Sequence, residues 1–554
     1  MASRRKRTEG IHFVNARPAD EDEKLKGQRL VRAHVGKWIS DQTKDREPRP
    51  NTQRGFALVA RARAIPRPGL RASLRNLPFP HQNSDSDSSS DDGCDEARLI
   101  DRWYKLPALE RLERNISGMM DPFDTYPASR AFDPEMIDMS ERYITGVVWP
   151  GLTPRPGGVK TPGKSWFELS MANAELFTAF MFGSLCHLRV QWQNNWIPGT
   201  TFGAKQQRAL QLCEMESIKL INQAVRNPNP KKAVSDAVLL SVICMAHHQA
   251  EEKLVQQHRR TPFNPPFPRL QWIDVYGCLP PNMVHIKGLV QLVKLRGGLS
   301  SIPTEGLAAT VSFSDILTCS VLCVHPAFEF WPLAESRMGM SVQEMLCFGP
   351  ADIASGFGHL QDIGATSEMA EAFQAAHTYV KIIKTNPTSV RDVSLLADQR
   401  NLTQHTLLSV APASDLHAFF SLTHASTYEA CRLAAQIFGV GVLFPIPAQN
   451  TPLHHLARLI QTLLHQPTAS ELWTSLTTRL PLVWILTLGG IAASDAPERV
   501  WYTTALRDIL YRTNIRSWPK LKAVLESMLW YDAACDAAGE ALWFECQPVV
   551  GFLA

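Results

Sequence analysis

His285–Leu299 reads HIKGLVQLVKLRGGL, and the fold class follows from how this stretch is periodic. Ile286, Leu289, Val290 and Val293 fall at i, i+3, i+4 and i+7, the spacing that places four apolar side chains on one face of an α-helix and requires that face to be buried. Lys287, Lys294 and Arg296 occupy other faces, and the last-turn cations lie where the helix dipole favours positive charge. Gly297-Gly298 follows immediately, supplying a residue that enters the left-handed region without steric cost and stops the helix. The stretch therefore predicts a short, core-packed, sharply terminated helix.

The wording of the segment is more specific than its period. His-x-x-Gly-Leu, an apolar run and Arg-Gly-Gly-Leu resemble the central segment of the fungal-specific transcription factor domain. Further segments agree in the order that family has them: Ser235-Asp236 opening SDAVLLSVICMAHHQ, Pro481–Ala492 as PLVWILTLGGIA, and WYTTALRDIL from Trp501. The resemblance spans roughly residues 165–535. It implies an all-α regulatory body and transcriptional control, of secondary metabolism or development, in the nucleus. It also implies that such a body gates activity by binding partners or small effectors between its helices.

Composition sets the remaining bounds. The chain has 554 residues, 45% of them hydrophobic and 20% charged, ordinary for a globular protein with a large core. Eleven cysteines are scattered among apolar runs without a Cys-x-x-Cys pair, the usage expected of buried thiols in a reducing compartment. No apolar segment follows the basic N-terminus, and no apolar run reaches about 18 residues, so neither a secretory signal nor a membrane partner is expected.

The net charge of +4 conceals an asymmetry. Residues 1–80 hold 19 Lys and Arg against 8 Asp and Glu, residues 81–97 hold six acids and no base, and residues 98–554 hold 38 bases against 39 acids. Polyanion binding is therefore expected in the N-terminal arm, because phosphate attraction is a local sum under physiological salt. Arg4, Arg5, Lys6 and Arg7 form a compact run of the kind nuclear import receptors read, and a solvated terminus reads the same way; the family resemblance favours import.

Phe13–Ser40 continues with Pro18 and the acids Asp20–Glu23 opening a helix over about 20–39, on which Val31, His34, Val35 and Trp38 form a narrow apolar stripe. Lys26, Arg29, Arg32 and Lys37 lie beside it. They contact DNA phosphates, or they belong to a helix that docks on the body or on a partner; leading acids and trailing bases suit the dipole and favour docking. This segment resembles the N-terminal signature of a subgroup of the family that lacks the binuclear zinc cluster. No cysteine precedes Cys94, so six thiolates are not available there to hold two metals.

Residues 40–97 read as a disordered linker, Arg- and Pro-rich and then acidic, too poor in apolar surface to offset chain entropy. Ser84, Ser88 and Ser89 each have an aspartate three residues on, suiting an acid-directed kinase, although a solubilising spacer has the same composition. The domain organisation read from sequence is thus 1–97, largely disordered, followed by a helical regulatory domain over 98–554. Its fold class is all-α, a large irregular helical bundle preceded by a disordered N-terminal region with one short helix.

Helices are expected over about 98–114, 166–193, 203–226, 231–257, 282–296, 366–385, 414–438, 453–465, 469–488, 497–513 and 518–530. Gly158–Ser165 matches the phosphate-loop pattern, but Pro162 removes an N–H from the cradle and prolines separate the motif from any strand, so a flexible entry loop is the better reading. His247 with Glu251 has helical i, i+4 spacing suited to a metal, while a half-buried helix edge explains it more simply; Cys319 and Cys323 read as core thiols on one helical face. No catalytic residue, cofactor or metal is expected. Transcriptional machinery or other regulators are the expected partners, with DNA a candidate through the arm, and the alternatives are a helical interaction scaffold that does not bind DNA and, remotely, a nucleotide-binding enzyme through residues 158–165.

Overall fold

The computed structural model describes residues 133–155, 163–196, 201–250, 260–385, 392–416 and 422–547. These residues are helical with no strand among them, which is the all-α class expected. The helix over about 20–39, the linker 40–97 and the helix 98–114 lie outside the described residues.

Met283–Arg296 forms the helix its periodicity requires, capped at its start by Asn282, whose side chain accepts from the Val284 N–H at 3.2 Å. Gly297 ends it at φ 114°, and Gly298 N–H reaches back to the Val293 carbonyl at 3.0 Å, the paired bonds that close a helix on a left-handed residue. Ile286, Leu289 and Val293 are buried, but Val290 is only half-buried and Leu292 and His285 take its place inside. The stripe is rotated because this helix packs on Asp236–Ala246.

That neighbour begins at Ser235, whose hydroxyl accepts from Val238 N–H, and Asp236 ion-pairs with Arg296 at 2.5 Å while accepting from Thr304 Oγ1. Arg296 also donates to the Val234 carbonyl at 2.7 Å. Its guanidinium thus ties the end of one motif to the start of the other. Asp236→Ala is expected to cost about 2 kcal/mol in denaturant unfolding, below the ~3–5 kcal/mol of a fully buried pair because both side chains still touch solvent. A loss under about 0.5 kcal/mol contradicts a structural role for the pair.

Two packing centres organise the rest. Ala174–Gln193 packs against Ala204–Val225 and Asp236–Ala246. Arg479–Ala492 packs against Leu422–Phe438, Leu453–Leu464, Arg499–Arg512 and Asp532–Cys546, and every residue from Pro481 to Ala492 is buried. That helix is apolar and buried on every side, and Gly489-Gly490 lets Tyr502 and Leu542 approach its backbone closely. Trp530 and Trp543 are buried, whereas Trp501 and Trp518 are half-buried against the core.

Several expected helices differ in extent. The span 166–193 is two helices, Gly163–Met171 and Ala174–Gln193, divided at Asn173, whose side-chain amide caps the Leu169 carbonyl at 2.8 Å. Of the expected span 231–257, residues up to 250 are described, and they hold Pro230–Ala233 and Asp236–Ala246, the second ending where His247 leaves helical geometry. The span 469–488 is broken at residues 475–478 between Ser470–Thr474 and Arg479–Ala492. Pro134–Tyr143, Leu307–Leu322, Val393–Ser409 and Asp532–Cys546 are helices that the apolar period did not announce. Among the described residues no single helix is long and apolar enough to cross a membrane.

Candidate functional site

The side chains singled out at the N-terminus, Arg4, Arg5, Lys6, Arg7, Lys26, Arg29, Arg32, Lys37, Ser84, Ser88 and Ser89, lie outside the described residues. So do Gly158–Pro162 of the phosphate-loop pattern. Upstream of it the chain is helical from Pro134 to Leu152, and Gly163 opens a helix. No strand runs toward the pattern within 133–155.

The site that stands out in the helical body is an interhelical cavity of about 50 Å³, room for a few waters and well below the volume of a drug-sized ligand pocket. Aromatic rings form much of its wall: Trp149 meets Trp166 edge-on at 5.7 Å and Phe180 at 5.0 Å, and Phe313 joins from Leu307–Leu322. Among the described residues no Asp, Glu, Lys or Arg lines it.

Its polar wall is the end of Asp236–Ala246. The helix stops at Ala246, so His247 and His248 turn inward, 5% and 7% exposed, rather than riding a half-buried helix edge. Proline-free sequence concealed this stop. His247 Nε2 lies 2.6 Å from Ser314 Oγ, and His248 Nδ1 lies 2.6 Å from the Cys244 carbonyl. A carbonyl only accepts, so His248 carries its proton on Nδ1 and presents Nε2 as a bare acceptor. That Nε2 is buried and has no hydrogen-bond partner.

Gly183 makes the space beside this ring: a Cβ there would stand 3.3 Å from His248 Cε1. A second aromatic layer backs it, with Tyr276 edge-on to His248 at 5.5 Å and His187 against Trp272 at 4.8 Å, its Nδ1 2.8 Å from the Tyr143 hydroxyl.

Burial dominates the electrostatics. It holds His247 down to about 3 and His248 to about 4, lowers His187 well below the usual range, and lifts the Cys244 thiol to about 12. The imidazoles are neutral at pH 7 and Cys244 is a thiol. Ser314 and His247 touch as a nucleophile and base would, but an imidazole that protonates only near pH 3 is a weak base, and Ser314 sits mid-helix, where no sharp turn lifts it above the backbone. The Ser314–His247 pair is therefore poorly arranged for bond-making.

Acid sensitivity follows. Unfolded imidazoles bind protons near 6.5, whereas folded His247, His248 and His285 do so near 3 to 4, so their contribution is complete above pH 6.5 and is lost as pH falls. Each costs about 1.4 kcal/mol per pH unit between those values. Asp398, which burial lifts to about 6 despite its bond to Arg337, works the other way below that pH. The denaturant midpoint is expected to fall between pH 7 and pH 5, with a shallower fall in His285→Gln; an unchanged or rising midpoint contradicts neutral buried imidazoles.

Glu251, the other half of the suggested metal pair, lies outside the described residues, and among those described no group of three His, Cys, Asp or Glu side chains is placed to hold a metal ion. Cys319 is a core thiol whose Sγ contacts Asp315 Oδ1 at 3.6 Å, whereas Cys323 ends the helix at φ 55° instead of sharing its face.

Residues 388–533 match the model of the fungal specific transcription factor domain. The match lies inside the 165–535 stretch of the resemblance and begins downstream of both Ser235-Asp236 and His285–Leu299. No curated protein and no solved structure matches the chain.

Proposed function

We propose that this chain is a nuclear transcriptional regulator that works without a zinc-cluster DNA reader, through partner proteins or through its basic N-terminal arm. The match over residues 388–533 carries the reading. It falls on the Arg479–Ala492 packing centre and the helices around it, so the likeness is to a folded module and not to an isolated motif. Two features of the sequence support the finer statement. Residues 1–93 hold no cysteine, and the positive charge is concentrated in residues 1–80 while residues 98–554 are balanced.

In the proposed arrangement Arg4–Arg7 directs import, Lys26, Arg29, Arg32 and Lys37 meet DNA phosphates or a partner, and phosphorylation of Ser84, Ser88 and Ser89 strengthens an anionic block that screens the arm. Salt titration of full-length protein on duplex DNA, beside a variant with those four cations changed to Gln, separates DNA contact from docking. A phosphate-reading arm gives steeply salt-dependent binding whose logarithmic slope drops by about 3–4 in the variant, near 0.9 per phosphate contact. Equal slopes remove DNA contact by these residues and leave action through partners. The regulatory reading itself is tested by tethering the whole chain to a reporter promoter through an unrelated DNA-binding module: reporter output changes several-fold, and unchanged output counts against it.

A further inference from the structure

We propose that the outward face of Ala204–Val225 is the seat of this chain's own segment Pro107–Ser117, docked as an amphipathic helix through Leu109, Leu112 and Ile116. The inference goes beyond the regulatory reading and does not depend on it, since docking is read on the purified chain.

The seat is an apolar ridge where a surface helix is ordinarily polar. Ala204–Val225 buries Ala209, Leu210, Cys213, Ser217 and Ile221 on its inner side, and its packing partners there are Ala174–Gln193 and Asp236–Ala246. On the opposite side Leu212 and Met215 are 48% and 52% exposed, and half-buried Ile218 continues the i, i+3 step. Single exposed apolar residues are ordinary, but three in one row form a ridge of the kind that packs into the groove of a second helix. Arg208 and Lys219 are exposed one turn before and one turn after the Leu212–Met215 pair. Lys219 is engaged by Glu216 at 2.9 Å, whereas Arg208 makes no ion pair among the described residues.

Pattern, charge and place select the occupant. In the sequence Pro107 and Gly118 bracket Ala108–Ser117, proline at the first helical position and glycine just past the end being where each is favoured. Leu109, Leu112 and Ile116 fall at i, i+3 and i+7 and make one stripe. At 100° per residue Glu113 borders that stripe while Arg111 and Arg114 lie well away from it. The segment therefore brings a carboxylate, and no cation, to the edge of its apolar face, which suits Arg208.

The chain also passes the right place. The first described residue, Asp133, pairs with Lys205 at 2.9 Å, in the first turn of Ala204–Val225. Met215 lies about 15 Å further along that helix. The 16 residues between Ile116 and Asp133 extend up to roughly 55 Å, so the segment reaches the ridge with length to spare. A tether that short holds the local concentration at roughly millimolar, enough for a small interface to close.

Hydrogen exchange of purified full-length protein, read by mass spectrometry on peptides covering 107–117, is expected to show at least about tenfold protection over an unstructured chain. Met215→Asp and Leu112→Asp place a charge on opposite sides of the interface, and each abolishes the protection. Circular dichroism checks that Met215→Asp folds; if it does not, Leu112→Asp, made on the segment itself, carries the test. Arg208→Glu and Glu113→Arg each weaken protection, and the two together restore most of it, a rescue that a segment helical only on its own does not give. The proposal is overturned if 107–117 exchanges at the unstructured rate in the parent, if protection survives in folded Met215→Asp or in Leu112→Asp, or if the double reversal restores nothing. Protection that climbs with protein concentration overturns it too, by assigning the face to a second copy.

Discussion

Replacing Arg400 with methionine is expected to cost about 3 kcal/mol or more in denaturant unfolding, the largest loss foreseen for a single side chain here. Arg400 has no exposed surface. Its guanidinium donates to the Leu270 carbonyl at 2.8 Å, to Gln271 Oε1 at 2.7 Å and to Asn401 Oδ1, and lies 4.9 Å from the Phe444 ring centroid. Methionine fills much of the volume and donates nothing, so buried acceptors lose their donor at about 1–3 kcal/mol apiece before relaxation.

Those bonds also hold a strained turn. Gln271 and Trp272 both take left-handed geometry, at φ 57° and 58°, which costs side-chain-bearing residues about 1–3 kcal/mol each. Gln271 Nε2 donates to the Leu152 carbonyl at 3.1 Å and Trp272 Nε1 to the Val148 carbonyl at 3.0 Å. The turn thereby fastens the Pro134–Leu152 segment, with its cavity residues Val148, Trp149 and Leu152, to Val393–Ser409. Arg400→Lys is expected to rescue little, because an ammonium lacks the planar fork that reaches carbonyl and amide together. A loss under about 1 kcal/mol in Arg400→Met would show that the turn holds itself.

Gly489→Ala is the second large effect, about 2–3 kcal/mol of destabilisation, although alanine is the better helix former by about 1 kcal/mol. A Cβ at position 489 would stand 2.4 Å from Tyr502 Cε1. Tyr502 cannot swing aside: it is fully buried, and its hydroxyl donates to the Ala457 carbonyl at 2.6 Å. Gly490 is equally constrained, with Leu542 at 2.6 Å from the same construction. Gly146 provides the contrast, since nothing lies within 4 Å of a Cβ there, and Gly146→Ala is expected to be neutral or stabilising by up to about 1 kcal/mol. The thermal melt should fall for Gly489→Ala and hold or rise for Gly146→Ala; a stabilised Gly489→Ala would mean the helices do not approach this closely.

Local apolar pattern made some elements legible and left others hidden, for physical reasons. Met283–Arg296 was readable because its period, N-terminal Asn282 and C-terminal Gly297 all lie within sixteen neighbouring positions. Pro481–Ala492 was readable because a helix apolar on every side has only the interior to occupy. Val393–Ser409 was missed because it buries Asp398, Gln399, Arg400, Asn401 and Gln404, polar residues whose partners lie far away in sequence. Leu307–Leu322 likewise buries five serine and threonine side chains and Asp315 among its apolar positions.

The cavity was hidden for a related reason. Its wall is assembled from segments between Ile144 and Leu317, and the one sequence signal, His247-His248, reads as a helix edge unless the helix is known to stop at Ala246. The absence of Asp, Glu, Lys and Arg among its described lining residues is a property of the assembled surface, which no single segment displays.

The regulatory account rests most directly on where the protein sits in the cell's chromatin. A genome-wide occupancy map of the tagged full-length chain is expected to show discrete promoter peaks that are lost or strongly reduced when residues 2–7 are removed. Absence of discrete peaks from the full-length protein, with the chain retained outside the nucleus, would contradict it.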